Sequence, residues 1–377
     1  MMKIFYLVYG LTSGGIERIS VDIYKYIDKN KFDLEIITKY NDREFFDDEL
    51  ESYGGKRKPI LCESARNGSR KKIRYLINFI KMIRQGYDIA YFCLSKPRDV
   101  FKYPLLCKIF GVKTIVIHSH NSMEDNNFGI KRLMNNCGRK LIGGLAQIKI
   151  ACSGEAAKWM FPSQTVINTE YILMKNGVDV NKYRFNEKIR EKLKKQYHLG
   201  DEFIIGHIGR FTTQKNHKFL VDIFEQIHKK KSNSKLFLIG TGDLFEEVRE
   251  YVIKKDLLED VIFCGEKDNV CEYMQIFDAF VFPSLYEGLP VVGIEAQAAG
   301  LKCFFSDVIT REVNITGNVK YLQLSQDAQT WADTIINDSI AYTRRDYTDV
   351  IRSKGFDIQS FVKKLEKALE ENVLEKC

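Results

Sequence analysis

Proline is scarce in this chain of 377 residues, with six in all, and no Pro/Gly-rich or low-complexity segment occurs. That excludes a collagen-like or linker-dominated protein. No uncharged apolar stretch approaches the roughly 18 residues of a spanning helix. The opening Met1–Gly10 has only a short apolar run, and Glu17 and Arg18 follow without a small-residue cleavage site. It reads as a first buried strand, not a signal peptide. Nine cysteines (Cys62, Cys93, Cys107, Cys137, Cys152, Cys264, Cys271, Cys303 and Cys377) are scattered, and none forms a Cys-x-x-Cys pair. The pattern fits reduced core thiols in a cytosolic protein, so no structural zinc, no other metal and no cofactor are expected. No aromatic-rich recognition motif accompanies the basic residues, and nucleic acid is not an expected partner.

What is present describes a globular protein, 45% hydrophobic and 29% charged. Its length favours two domains. In the first half, strands are expected at 4–9, 34–38, 89–94, 113–117 and 147–151, and helices at 16–27, 72–85, 100–110 and 130–145. A second alternation follows the Asn176-Gly177 turn, with strands at 203–208, 235–239, 261–264, 279–282 and 302–305. Its helices fall at 217–230, 244–254, 270–277 and 294–299. Such alternation implies an α/β fold with two mostly parallel sheets. The expected domains are 1–178, completed by a terminal helix over 357–377, and 179–356.

The formal charge of +8 is uneven: from Lys56 to Arg84 there are ten Lys or Arg and one acid, Glu63. Ile73, Leu76, Ile77, Ile80 and Ile83 fall there at helical spacing, with Arg70, Lys71, Lys72, Arg74, Lys81 and Arg84 around them. The stripe is expected to pack on a sheet. The charges leave two readings open, a solvated face or attraction to an anionic membrane.

Chemistry is suggested at strand ends, where open parallel sheets bind ligands. Glu287 and Glu295 flank a Gly-Leu-Pro turn and a helix start, where the amides of Gly288, Leu289 and Val291 could hold an anion. Two acids beside an anion hole suit a nucleotide sugar; they are also ordinary near a helix start. Arg210 and Lys215 leave a strand five residues apart, a fork and a point charge fit for a diphosphate, or else two solvated cations. Gly14-Gly15 lets backbone approach a ligand, or makes a plain turn. Gly240-Thr-Gly242 and Gly265 could line a nucleoside pocket or be turns. His118 and His120, two residues apart on an extended segment, are expected to point to opposite faces, and joint chelation of one metal is not expected.

In this order, Gly14-Gly15, His118-Ser-His120-Asn121, Asn176-Gly-Val-Asp179, Gly209-Arg210…Lys215-Asn216, Gly240-Thr-Gly242 and Glu287…Glu295 resemble glycosyltransferase family four. The likeness spans roughly residues 10–312; Ile16 stands where Ala is commoner. It implies retaining enzymes of the GT-B fold, two Rossmann-like domains facing across a cleft. The first would take the acceptor and the second the nucleotide-sugar donor. The resemblance assigns Arg210 and Lys215 to the donor diphosphate, Glu295 to the ribose and Glu287 to a sugar hydroxyl. Gly14-Gly15 would close over the phosphates, and a histidine of the pair would touch the sugar near the reacting carbon. Uridine is the commoner donor base. His118-Ser-His-Asn121 and Phe305–Glu312 are similar to bacterial surface-polysaccharide members, which implies a glycan or polyprenyl-linked acceptor at the inner face of the cell membrane. Two alternatives are a nucleotide-sugar epimerase and a non-catalytic sugar- or nucleotide-binding protein.

Overall fold

Thirteen strands alternate with helices in a computed structural model that describes residues 1–12, 14–61, 69–120 and 129–374. Of the sequence features above, Asn121, Cys62, Glu63 and Cys377 lie outside the described residues, as do the side chains of Arg70, Lys71 and Lys72. The chain divides into two compact units, Met1–Gly177 with Ile358–Cys377, and Val178–Asp357.

The first unit holds β1 (Met2–Leu7), β2 (Phe32–Thr38), β3 (Arg57–Pro59), β4 (Ile89–Leu94), β5 (Thr114–Ser119), β6 (Ile148–Ala151) and β7 (Ile172–Leu173). They lie in the order β3-β2-β1-β4-β5-β6-β7. The second unit holds β8 (Phe203–Ile208), β9 (Ser234–Ile239), β10 (Val261–Gly265), β11 (Ala279–Phe282), β12 (Lys302–Ser306) and β13 (Val319–Leu322). Their order is β10-β9-β8-β11-β12-β13. All strand pairs are parallel. The two orders reverse direction between β1 and β4 and between β8 and β11, the points where such sheets bind ligands.

Alternate side chains of each strand feed cores on opposite faces. Ile4 and Tyr6 join Ile19, Ile23 and the terminal helix, whereas Phe5 and Leu7 join Phe79, Phe92 and Ile142. The terminal helix Ile358–Leu374 seats Phe361, Leu365 and Leu369 in the first of these cores. In the second unit, Phe280 and Phe282 face one core, and Ala279 and Val281 the other. This two-sided burial explains the continuous apolar runs of the central strands.

Two local expectations change. The helix expected over 100–110 is a 3-10 turn, Pro97–Phe101, followed by a helix, Pro104–Ile109. Pro104 lacks an N–H and its ring opposes the preceding turn, so one helix gives way to two pieces. The apolar stripe of the basic helix Ser69–Ile83 does not pack inward as a unit. Tyr75, Phe79 and Ile83 are buried, while Ile73, Leu76 and Ile77 are exposed. The rings of Tyr75 and Phe79 meet Tyr103, and Phe79 meets Phe5 edge-on. These aromatics bury more area than the aliphatic stripe would and set the rotation of the helix.

Candidate functional site

The end of β8 carries Gly209 and Arg210 into a 3-10 turn, Thr213–Lys215. Asn216 then takes a left-handed conformation (φ 56°) and caps the helix His217–Lys230. Its side-chain amide donates to the carbonyl of Pro283 at 3.2 Å. The turn is thereby stitched to the loop after β11. Leu285 N donates to Gln214 O at 2.8 Å, and Gln214 Nε2 donates to Tyr286 O at 2.9 Å.

This stitching brings Lys215 to Glu287, with Nζ and Oε1 2.6 Å apart and little of either side chain exposed. The ammonium also sits 4.5 Å from the centre of the Phe282 ring. Burial pushes the Lys215 pKa down, Glu287 pulls it up, and the charge of Arg210 pushes it down again. Arg210 is therefore close enough to act on Lys215, yet it is exposed and has no acidic partner among the described residues. An ion pair beside an exposed guanidinium leaves one net positive charge, a place for an anion.

Glycines of the neighbouring loops serve the same loop. A Cβ on Gly240 (φ +135°) would fall 2.3 Å from the carbonyl oxygen of Gly209, and one on Gly242 (φ +154°) 2.6 Å from that of Phe211. Without side chains, the β9 loop lies flat on the Arg210 loop. Phe211 N donates to Thr241 O and Leu244 N to Phe211 O, while Gly240 N reaches Gly265 O. Gly240 and Gly242 thus act through backbone packing. At Gly265 and Gly288 a Cβ would meet nothing within 4 Å.

Pro290 caps the helix Val291–Ala298, which has no side-chain cap and no acid in its first turn. Its leading amides are left for water or an anion. Leu289 and Val291 pack partly on the core of the unit. Glu295 lies one turn in. The Cys271 thiol is raised chiefly by its burial, with Glu295 among the charges that add to it, which places Glu295 towards the helix Val270–Ile276. The structure therefore joins Glu287 directly to Lys215 and sets Glu295 on the adjoining helix.

Sequence reasoning passed over His207 and His217, which lie under this loop. His207 is buried and its Nδ1 donates to Val281 O at 2.9 Å. His217 is buried and stacks on Phe211, ring centres 4.1 Å apart. Burial first, and the nearby Lys215 second, lower the pKa of His217 to about 4. Both imidazoles are neutral struts under a cationic loop. Their signal was present in the sequence, since each occupies an inward position of an apolar element.

In the first unit, Gly14 caps the helix Gly15–Tyr26 without a side-chain bond, and the space at Gly15 is open. His118 and His120 do not point to opposite faces. Their ring centres are 3.8 Å apart. Residues two apart in extended chain share a face, so the ring of His120, one residue past the end of β5, lies beside that of His118. The Nδ1 of His118 meets the Tyr91 hydroxyl at 2.6 Å, and His120 Nδ1 meets Asn176 Oδ1 at 3.1 Å. His120 Nε2 lies 3.6 Å from Cys93 Sγ, a residue that sequence reasoning left among core thiols. Burial lowers both imidazoles, His118 far below its ordinary value and His120 to about 4, so both are neutral at pH 7.

Comparison with known proteins identifies the family. Residues 188–337 match the family described as glycosyl transferases group 1. EpsF of Bacillus subtilis (strain 168) is 31% identical over 365 residues, 96% of this chain and 94% of that protein. The chain belongs to the group 1 glycosyltransferases, enzymes resembling family four, and has the GT-B fold. A second relative, the capsular polysaccharide biosynthesis glycosyltransferase CapH of Staphylococcus aureus, is 24% identical over 372 residues, covering 97% of this chain and 98% of CapH. Among solved structures, Anabaena Alr3699/HepE in complex with UDP and glucose superposes with a TM-score of 0.73 at 18% identity, over 98% of this chain and 100% of HepE.

Proposed function

We propose that this glycosyltransferase is a retaining hexosyltransferase that uses a UDP-sugar in surface-polysaccharide assembly. The second unit would take the donor and the first a glycan or polyprenyl-linked acceptor. The observation that carries the reading is the Lys215–Glu287 pair beside exposed Arg210, at the reversal point of the second sheet. The names of CapH and HepE add polysaccharide synthesis and UDP with glucose as the natural candidates.

The chemistry follows from charge. Breaking the anomeric C–O bond leaves a cationic sugar and a nucleoside diphosphate. Arg210, Lys215 and the amides at Gly288, Leu289 and Val291 would hold that leaving group, which is preorganised electrostatic stabilisation. These groups supply the neutralisation without calling on a metal. Glu295 would hold the ribose. Glu287, tied to Lys215, is suited to accept from a sugar hydroxyl rather than to attack carbon. His118 or His120 would contact the sugar, with Gly14-Gly15 closing over the phosphates and Gly265 near the nucleoside. The acceptor then attacks from the leaving-group face, and a departing phosphate oxygen takes its proton. Incubation of labelled UDP-sugars with acceptor should give a product of unchanged anomeric configuration by NMR. A covalent sugar adduct on Glu287 would overturn the mechanism, and epimerised product from donor alone would overturn the reaction class.

No described helix is long and apolar enough to cross a membrane. A peripheral seat at the inner face of the cell membrane is supported by exposed Ile73, Leu76 and Ile77 on the basic helix. Ile130 and Leu133 are likewise exposed, beside Lys131 and Arg132. Ile77→Asp should lower sedimentation with anionic liposomes about tenfold; unchanged sedimentation would remove the membrane from the proposal.

A further inference from the structure

Cys93 Sγ and one ring nitrogen each of His118 and His120 converge at the carboxyl ends of β4 and β5, all within 4.8 Å of one another. The arrangement is built from outside. His120 Nδ1 faces an amide oxygen, Asn176 Oδ1, which can only accept, so Nδ1 carries the hydrogen and Nε2 keeps its lone pair. That lone pair faces the Cys93 sulfur at 3.6 Å. His118 Nδ1 is engaged by Tyr91, and its Nε2 is fully buried with no hydrogen-bond partner. A buried polar nitrogen left alone costs about 1–3 kcal/mol. Histidines that hold metals have this construction, one nitrogen fixed by an outer partner and the other free to ligate.

The spacing suits an ion. Tetrahedral zinc, with bonds of about 2.3 Å to sulfur and about 2.05 Å to nitrogen, sets ligand atoms about 3.6 Å (S···N) and about 3.4 Å (N···N) apart. The Cys93–His120 edge already has the first of these separations. The third corner needs a side-chain adjustment of about an ångström, of the size that rotamer relaxation supplies. One sulfur and two imidazoles favour zinc-class ions over magnesium or calcium, which take oxygen ligands.

We propose that Cys93, His118 and His120 form a three-ligand site for a zinc-class divalent ion. On binding, the Cys93 S–H bond breaks, a metal–thiolate bond forms and the proton passes to solvent. A fourth position is left for water or an oxygen of a bound ligand. The ion is no part of the transfer chemistry. Because the same imidazoles are assigned to the transferred sugar, an ion there would block transfer. That consequence rests on the proposed function, whereas the binding does not.

The test is titration of the reduced, chelator-treated full chain with Co2+, read by the thiolate-to-cobalt charge-transfer band and by back-titration with Zn2+. One equivalent should bind, Mg2+ should not displace it, and the band should vanish in Cys93→Ser. In His120→Gln, a change at a partly exposed position, affinity should fall about 100-fold or more. Circular dichroism checks the fold of Cys93→Ser, and His120→Gln decides the matter if that variant does not fold. No charge-transfer band in the wild type, or wild-type binding in the folded variants, overturns the site. Zinc should inhibit transfer by the wild type and spare Cys93→Ser. If zinc binds at Cys93 yet transfer continues, the site stands and the assignment of the histidines to the sugar falls.

Discussion

The two sheets reverse their strand order in the same way, but the groups gathered at the two reversal points differ in kind. At β8 and β11 the side chains are charged: exposed Arg210, and Lys215 tied to Glu287. At β1, β4 and β5 they are neutral hydrogen-bonding groups: Tyr6, Tyr91, Cys93, His118 and His120. The Cys93 thiol is pushed up to about 12 by burial, so it too is uncharged at neutral pH. One sheet end thus gathers charged side chains and the other polar, uncharged ones. In the second unit these groups stand on loops, whereas in the first Tyr6, Tyr91, Cys93 and His118 stand on the strands themselves.

The comparison breaks first at Arg210. If charge in the second unit carries the chemistry, Arg210→Ala should lower kcat/KM about 100- to 1,000-fold. Steady-state kinetics with thermal unfolding as control would check it, and a loss below tenfold would dissolve the contrast.

A smaller effect is expected from acid. The folded pKa of His217 is depressed to about 4, from about 6.5 in the unfolded chain. Between those values the unfolded state binds more protons. Stability from this group is therefore full above pH 6.5 and falls as the pH drops towards 4, by up to about 3 kcal/mol. Urea unfolding at pH 7 and pH 5 should show a shallower pH slope for His217→Gln than for the wild type, whatever its stability at pH 7.

Smaller again, Gly240→Ala should cost about 1–3 kcal/mol. The new methyl group meets the Gly209 carbonyl at 2.3 Å and the backbone is held at φ +135°. UDP binding by calorimetry should weaken along with stability, because the displaced loop carries Arg210. Stability lost with binding intact would mean that the loops are independent.

Central strands were legible in full: 89–94 and 279–282 are apolar along their whole length, and 203–208 is interrupted only by Gly206 and His207, because both faces are covered. Edge strand β13 was not, since Lys320 and Tyr321 interrupt its apolar pattern and only Val319 and Leu322 are buried. The helix Ala328–Ile340 escaped for a similar reason, with Trp331, Ala332 and Ile335 alone buried in a polar segment. For the site, the strand-end positions of Arg210, Lys215 and Glu287 could be read from the alternation of elements. The ion pair could not, because 72 residues separate its members and the Asn216–Pro283 bond brings them together. The histidine pair was misjudged because residues two apart in extended chain share a face, so period two already brings the rings of His118 and His120 together.

The lacing of the loops after β8, β9, β10 and β11 has an evolutionary corollary. Their main chains bond to one another through Phe211, Thr241, Gly240, Gly265, Gln214 and Leu285. An insertion in any one of them would tear several neighbours loose at once. Descendants of this sequence that accept a different donor should therefore keep these loop lengths and diverge by exchanging outward side chains instead.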